Sequence, residues 1–304
     1  MAKTELFVRQ QPGGMFAVVN QNVTTGSIFF VDSVTGTNGV GYGQNPDAPV
    51  ATIDYAVGLC TASKGDIIYV LPGHAEAITA ATSLVVDVAG VRIVGLGVGR
   101  LRPTLTFTTV ATATISVTAA NCSLENLVMK AAFTDGITVG VTVAATATGF
   151  RLINCVMEES LNTQEFLTGV SVGAAAHYLV IDGLEFLGVA GGSTVSAIVL
   201  AGGSNFHRIV NCTLYGDFSG AAIDASAATA STYVTQSFNT IFNTDLTASL
   251  GIANHATTTG MMCYNNFFLP SANIGPTGAA MGLVENLVTN VAGLQGFSLP
   301  ARDS

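Results

Sequence analysis

Two carboxylates facing one groove, about 5 Å or 6.5 to 9.5 Å apart, would hydrolyse a glycosidic bond. Asn243-Thr244-Asp245 could supply one of them. No Asp-Asp pair occurs anywhere in the 304 residues to complete the set, and His255 lies in Ala253-Asn254-His255 without a glycine beside it. Asn-Thr-Asp alone is a common turn sequence. Glu158-Glu159 with Glu165 is the densest acidic group. It could bind a cation, but it reads more simply as a solvated loop at a bend. Lyase chemistry would need clustered aspartates for calcium and a basic residue as proton acceptor, yet Lys130 is the last lysine, followed only by Arg151, Arg208 and Arg302. His74, His177, His207 and His255 have no metal-ligand spacing; His177 and His207, about one repeat apart, are expected to stack at a common corner. The Gly-rich loop after Thr35 leads to no phosphate-binding Gly-Lys-Ser/Thr. No catalytic residue, cofactor site or metal site is therefore assigned, and no cofactor is expected.

The elements that would position such groups come from a repeat. Gly149 to Glu159 returns five more times, which aligns Asn126, Asn154, Asp182, Asn211, Asn239 and Asn265 at spacings of 28, 28, 29, 28 and 26 residues. A fixed period of that size signals one supersecondary unit stacked on itself. Apolar and polar residues alternate within each copy, which is a strand pattern. A second apolar run precedes each copy, as in Val141 to Val143, Val170 to Val172 and Ile198 to Leu200. Nothing between them is periodic enough for a crossover helix, so a coil of about 28 residues predicts one rung of a parallel β-helix, with rungs about 4.8 Å apart. Asn tolerates the left-handed bend between strands, and the six aligned residues are expected to form one inward ladder.

Composition narrows the partners. Charged residues make up 10% of the chain, mean hydropathy is +0.54 and net charge is −9. The most apolar stretch, Ser83 to Gly99, is interrupted by Asp87 and Arg92, so no membrane span is expected. From Arg151 onward ten carboxylates face three arginines, which argues against nucleic acid. Of five cysteines, Cys155 and Cys212 share a motif position two rungs apart, roughly 10 Å and beyond disulfide reach. An odd total points to reduced thiols and assembly in a cytoplasm. Met1 to Gly14 has no apolar run of secretory type. Residues 1–26 read as an extended arm, 27–270 as the β-helix and 271–304 as a C-terminal helix and tail. That helix is predicted at Ala279 to Ala292, with Met281, Val284, Leu287, Val288 and Val291 on its apolar face.

The β-helix entry carries the most specific signal. Thr52 or Asp54 caps a short helix near 52–62 that would cover the open first rung, and Lys64-Gly65-Asp66 turns into a strand from Ile67. The ordered set Thr52, Ile53, Ala56, Gly65, Asp66, Ile68, Val70, Pro72, Gly73 and Glu76 resembles the entry into right-handed parallel β-helix proteins of the pectin lyase-like superfamily, which includes pectinesterases and many bacteriophage proteins. With the repeat, the resemblance spans about residues 28 to 270. It implies an all-β, right-handed parallel β-helix of about seven to eight rungs.

The chain departs from the superfamily's enzymes: polygalacturonase-like Asp-Asp and pectinesterase-like Asp-Phe-x-x-Gly are missing, and His255 has no glycine partner. The resemblance then implies a non-enzymatic virion component, a trimeric decoration or cement protein on a bacteriophage head that contacts the major capsid protein, assembled in the host cytoplasm. The alternative is a tail spike that grips or depolymerises a host surface polysaccharide, for which Asp245, Glu158 and Glu159 are the residues to test. Arg92, Arg100 and Arg102, the one basic cluster, are expected at an inter-subunit contact or a solvated edge.

Overall fold

A computed structural model describes residues 9–11, 14–16, 24–247, 250–270, 280–290 and 297–299. Its architecture is the expected one, an all-β parallel β-helix. Sheet I has ten parallel strands from Ile28–Val31 to Ala280–Val284. Sheet II has ten strands, the first Ala75–Ile78 and the last parallel one Asn286–Asn290, against which Phe297–Leu299 pairs antiparallel. Among the described residues sheet III has seven strands, from Leu84–Val86 to Leu250–Asn254, which gives seven complete turns there.

Stacking follows from alternation. In sheet I the inward residues Ile93, Leu124, Leu152, Ile181 and Ile209 fall in one register and are fully buried. Six phenylalanines, from Phe107 to Phe267, are likewise sealed in the bore. Each contributes roughly 2 to 3 kcal/mol of burial.

The entry motif holds the first rung closed. Thr52 is the N-cap of the helix Ile53–Leu59, its hydroxyl accepting from the Tyr55 N–H at 3.4 Å, and Ile53, Ala56 and Val57 point into the core. Glu76 accepts from the Ile53 N–H at 3.0 Å, which satisfies another free donor of the first turn. Asp66 is buried and accepts from the Ser27 and Thr61 N–H groups, both at 2.6 Å, and so ties the chain before the helix to the chain after it. Replacing Thr52 with Ala is expected to lower stability by about 1 kcal/mol, read as a reduced urea midpoint with an unchanged m-value.

One expectation about the ends needs revision. Residues 280–290 are not a helix: Ala280–Val284 and Asn286–Asn290 continue sheets I and II. Met281 and Val288 point inward, whereas Val284 and Leu287 are exposed. Glu285, with φ of 44°, makes the corner between the strands. A corner shifts the two-residue alternation by one position, and across such a shift apolar residues fall three and four apart, which imitates a helical face. In the expected arm, Arg9–Gln11 and Gly14–Phe16 form an antiparallel pair, and Thr24 donates its hydroxyl to the Gly65 carbonyl. Residues 1–8, 12–13 and 17–23, like the tail segments 291–296 and 300–304, lie outside the described residues.

Candidate functional site

The corner between sheets I and II resolves the repeat into two columns. The left-handed position is filled by Asn126, Asn154, Gly183, Asn211, Phe238, Tyr264 and Glu285, with φ between 44° and 69°. The following residue points into the bore, and this inward column reads Leu127, Cys155, Leu184, Cys212, Asn239, Asn265 and Asn286. The six residues expected to form one ladder are therefore split. Asn126, Asn154 and Asn211 hold the bend, Asp182 is the last residue of its strand, and only Asn239 and Asn265, joined by Asn286, form a buried amide ladder. The motif spacing of 26 between Asn239 and Asn265 already differed from the rest, but a switch of Asn between adjacent columns leaves no mark in a single-sequence repeat.

On the outward face of sheet I the charges alternate from rung to rung. The register places Arg92, Ser123, Arg151, Val180 and Arg208 in one column and Val94, Glu125, Ile153, Asp182 and Val210 in the next. Positive and negative rungs thus succeed each other from Arg92 through Glu125, Arg151 and Asp182 to Arg208. Arg92 grips Glu125 with Nε at 2.6 Å and Nη2 at 2.5 Å, and Ser123 donates to the same carboxylate at 2.9 Å. That pairing holds the Arg92 guanidinium above its ordinary pKa despite partial burial. A cleft of about 420 Å³ opens here between Thr24, Asn121, Ser123 and Arg151.

The expected basic cluster does not act as a unit. Arg92 is paired, and Arg102 reaches across two rungs to the Leu127 carbonyl at 3.3 Å and to that of Asn154. Arg100, in the exposed turn Gly99–Leu101, is the one with no partner within the fold among those three.

The acidic group is not a solvated loop. Glu159 and Glu165 are buried, and only Glu158 is partly exposed. Burial pushes the Glu159 carboxyl up to about 7, against three donors that favour its charged form: the Phe166 N–H at 2.9 Å, the Thr194 hydroxyl at 2.9 Å and the Val189 N–H at 3.2 Å. Glu165 accepts from the Ser193 N–H at 2.6 Å. These carboxylates fasten the loops between sheets II and III; a desolvated backbone N–H needs an acceptor, and an ionised one is the strongest available.

The histidines also part company. His177 pairs in register with Asn205, whose N–H it accepts at 3.1 Å. His207 points inward and is fully buried, with Nε2 at 2.7 Å from the Ser204 hydroxyl and Nδ1 without a partner. They do not stack at a common corner. Among the described residues no three His, Cys, Asp or Glu side chains gather to hold a metal. Cys155 and Cys212 lie in the inward column, where burial pushes their thiols up to about 11 and about 12 and leaves them unreactive.

Sequence reading missed the exposed aromatics. Tyr178, Phe206 and Tyr233 stack along the corner that enters sheet I, at centroid distances of 5.2 and 4.8 Å, and Phe238 stacks on Tyr264 at 5.1 Å along the corner that leaves it. All five have φ between 56° and 61° and are 43 to 63% exposed. A left-handed conformation costs a bulky residue about 1 to 2 kcal/mol, and the same entering corner carries Asn121 and Gly149 in earlier rungs. A third track, Tyr215, Phe242 and Phe268, lies on sheet II and lines an apolar recess of about 300 Å³ with Thr244 and Leu246. Their spacing of 26 to 28 residues was the available signal.

The chain resembles two solved pectin methylesterase structures. Both are from Aspergillus niger, one penultimately deglycosylated and one deglycosylated. The first is 14% identical over 90% of this chain and 88% of that one, with a TM-score of 0.49. The second is 13% identical over 88% and 86%, with a TM-score of 0.47. No family model matches the chain, and no curated protein matches it. At such identity and score these likenesses say nothing about activity.

Proposed function

We propose that the chain is a non-enzymatic structural component of a bacteriophage particle, a trimeric decoration protein that braces the head lattice by contact with the major capsid protein. The observation that carries this reading is the fate of Glu159. A general acid needs a carboxyl poised near neutrality and facing substrate; here the carboxyl raised to about 7 is buried and spends both oxygens on the fold. What the chain exposes instead, at a backbone cost, is aromatic surface. The phage type and the trimer come from the resemblance at Thr52 to Glu76.

The test is to purify particles from a host that expresses this chain and to count its copies by quantitative mass spectrometry and icosahedral averaging. A copy number that matches the head lattice is expected. A few copies confined to the tail would favour the second reading, a tail spike that binds or cuts polysaccharide. The recess beside Tyr215, Phe242 and Phe268, next to Thr244-Asp245, is its supporting feature. Complete absence from particles would sink both.

A further inference from the structure

We infer that the outward face of sheet I between the two aromatic corners, from Val180 to Cys263, is where a second copy of this chain docks. The inference deepens the structural reading above and rests on it only for the expectation that the chain self-associates.

Three observations converge. Five exposed rings sit at left-handed positions where earlier rungs place Asn121 and Gly149 on the entering side and Asn126, Asn154, Gly183 and Asn211 on the leaving side, so the backbone gives no reason for their being aromatic. They line both margins of one sheet face, Tyr178, Phe206 and Tyr233 on the entering side, Phe238 and Tyr264 on the leaving side. At roughly half exposure, five such rings present on the order of 500 Å². With the strip between them this approaches the ~800 Å² per partner of a stable interface.

Charge selects the partner. A chain of net charge −9 repels its own copies unless the touching surfaces are neutral. The four strands of this strip, Val180–Asp182, Arg208–Val210, Val234–Ser237 and Thr259–Cys263, contain one acid, Asp182, and one base, Arg208. The patch is neutral on an acidic molecule. Ring geometry favours protein over sugar: rings stacked within 12° of parallel cover one another's faces and leave edges outward. A sugar stacks on a face, whereas an edge suits interdigitation with another side chain.

The experiment is sedimentation velocity of the full chain, wild type against a triple variant, Tyr178→Asn, Phe206→Asn and Tyr233→Asn. Asn suits the left-handed corner, so the variant should keep its circular dichroism and melting temperature while its self-association weakens about 100-fold. A wild-type chain that stays monomeric at its highest soluble concentration overturns the inference, whatever the particle count shows. So does a folded variant that assembles as wild type does. Should the variant fail to fold, oxidative footprinting of the wild type at high and low concentration decides: protection of the five rings on assembly supports the face, and unchanged labelling overturns it.

Discussion

Replacing Asn265 with Ala is expected to lower stability by about 4 kcal/mol, lost from the C-terminal rungs. Asn265 Oδ1 accepts from the backbone and side-chain nitrogens of Asn239, both at 3.0 Å, and its Nδ2 donates to the Gln236 carbonyl and Asn286 Oδ1, both at 2.9 Å. Truncation orphans the Asn239 N–H in a fully buried site, at about 1 to 3 kcal/mol, takes one donor each from the Gln236 carbonyl and Asn286 Oδ1, and opens a cavity. Leu at 265 would restore volume, as Leu127 and Leu184 do in the same column, but no acceptor, so its loss should be about half. Each rung is held by its neighbours, so the damage should stay local. Hydrogen exchange should accelerate from Val234 to Asn290 and change little before Arg151. Exchange unchanged throughout, with a stability loss under about 1 kcal/mol, would show that the ladder is not structural.

The solenoid was legible because its physics is periodic. Alternation at Ile181 or Leu152 and recurrence near 28 residues are properties of the sequence itself, and the capping helix announced itself through Thr52, Asp66 and Glu76. Periodicity also misled where one residue of bend shifts its phase: Glu285 turned two strands into an apparent helix, and the six aligned residues fall out of step at Asp182, which precedes its bend, and again at Asn239 and Asn265, which follow theirs. The candidate face was less legible. Tyr178, Phe206 and Tyr233 count as exposed only once the corner is known to be left-handed, and the alternation of Arg92, Glu125, Arg151, Asp182 and Arg208 exists only in the register between rungs. Likewise Glu159 looks like any surface glutamate until the Phe166 and Val189 N–H groups are seen to converge on it.

That buried glutamate and the buried His207 should oppose each other as pH changes. Glu159 titrates near 7 in the fold and near 4.5 when unfolded, because burial disfavours its charged form. Its contribution to stability is complete below pH 4.5 and is lost as pH rises to 7. Burial, with His177 adding to it, holds His207 down to about 4 from 6.5. Its contribution is complete above pH 6.5 and is lost as pH falls to 4. Each amounts to roughly 3 kcal/mol, at about 1.4 kcal/mol per pH unit. Between pH 4.5 and 6.5 the two slopes cancel, and these two groups leave stability level. Glu159→Gln should break the balance. The amide removes the titration, at a fixed cost for the N–H of Val189 or Phe166 that loses its acceptor, and leaves a stability that climbs by roughly 3 kcal/mol from pH 4.5 to 7 relative to wild type. His207→Gln should leave the opposite slope, with stability falling from pH 4.5 to 7. Urea titrations at half-unit steps read both, and subtracting the wild type at each pH removes groups common to all three proteins. A Glu159→Gln curve parallel to wild type from pH 4.5 to 7 would mean that the carboxylate is ionised in the fold throughout. Its three donors would then outweigh its burial.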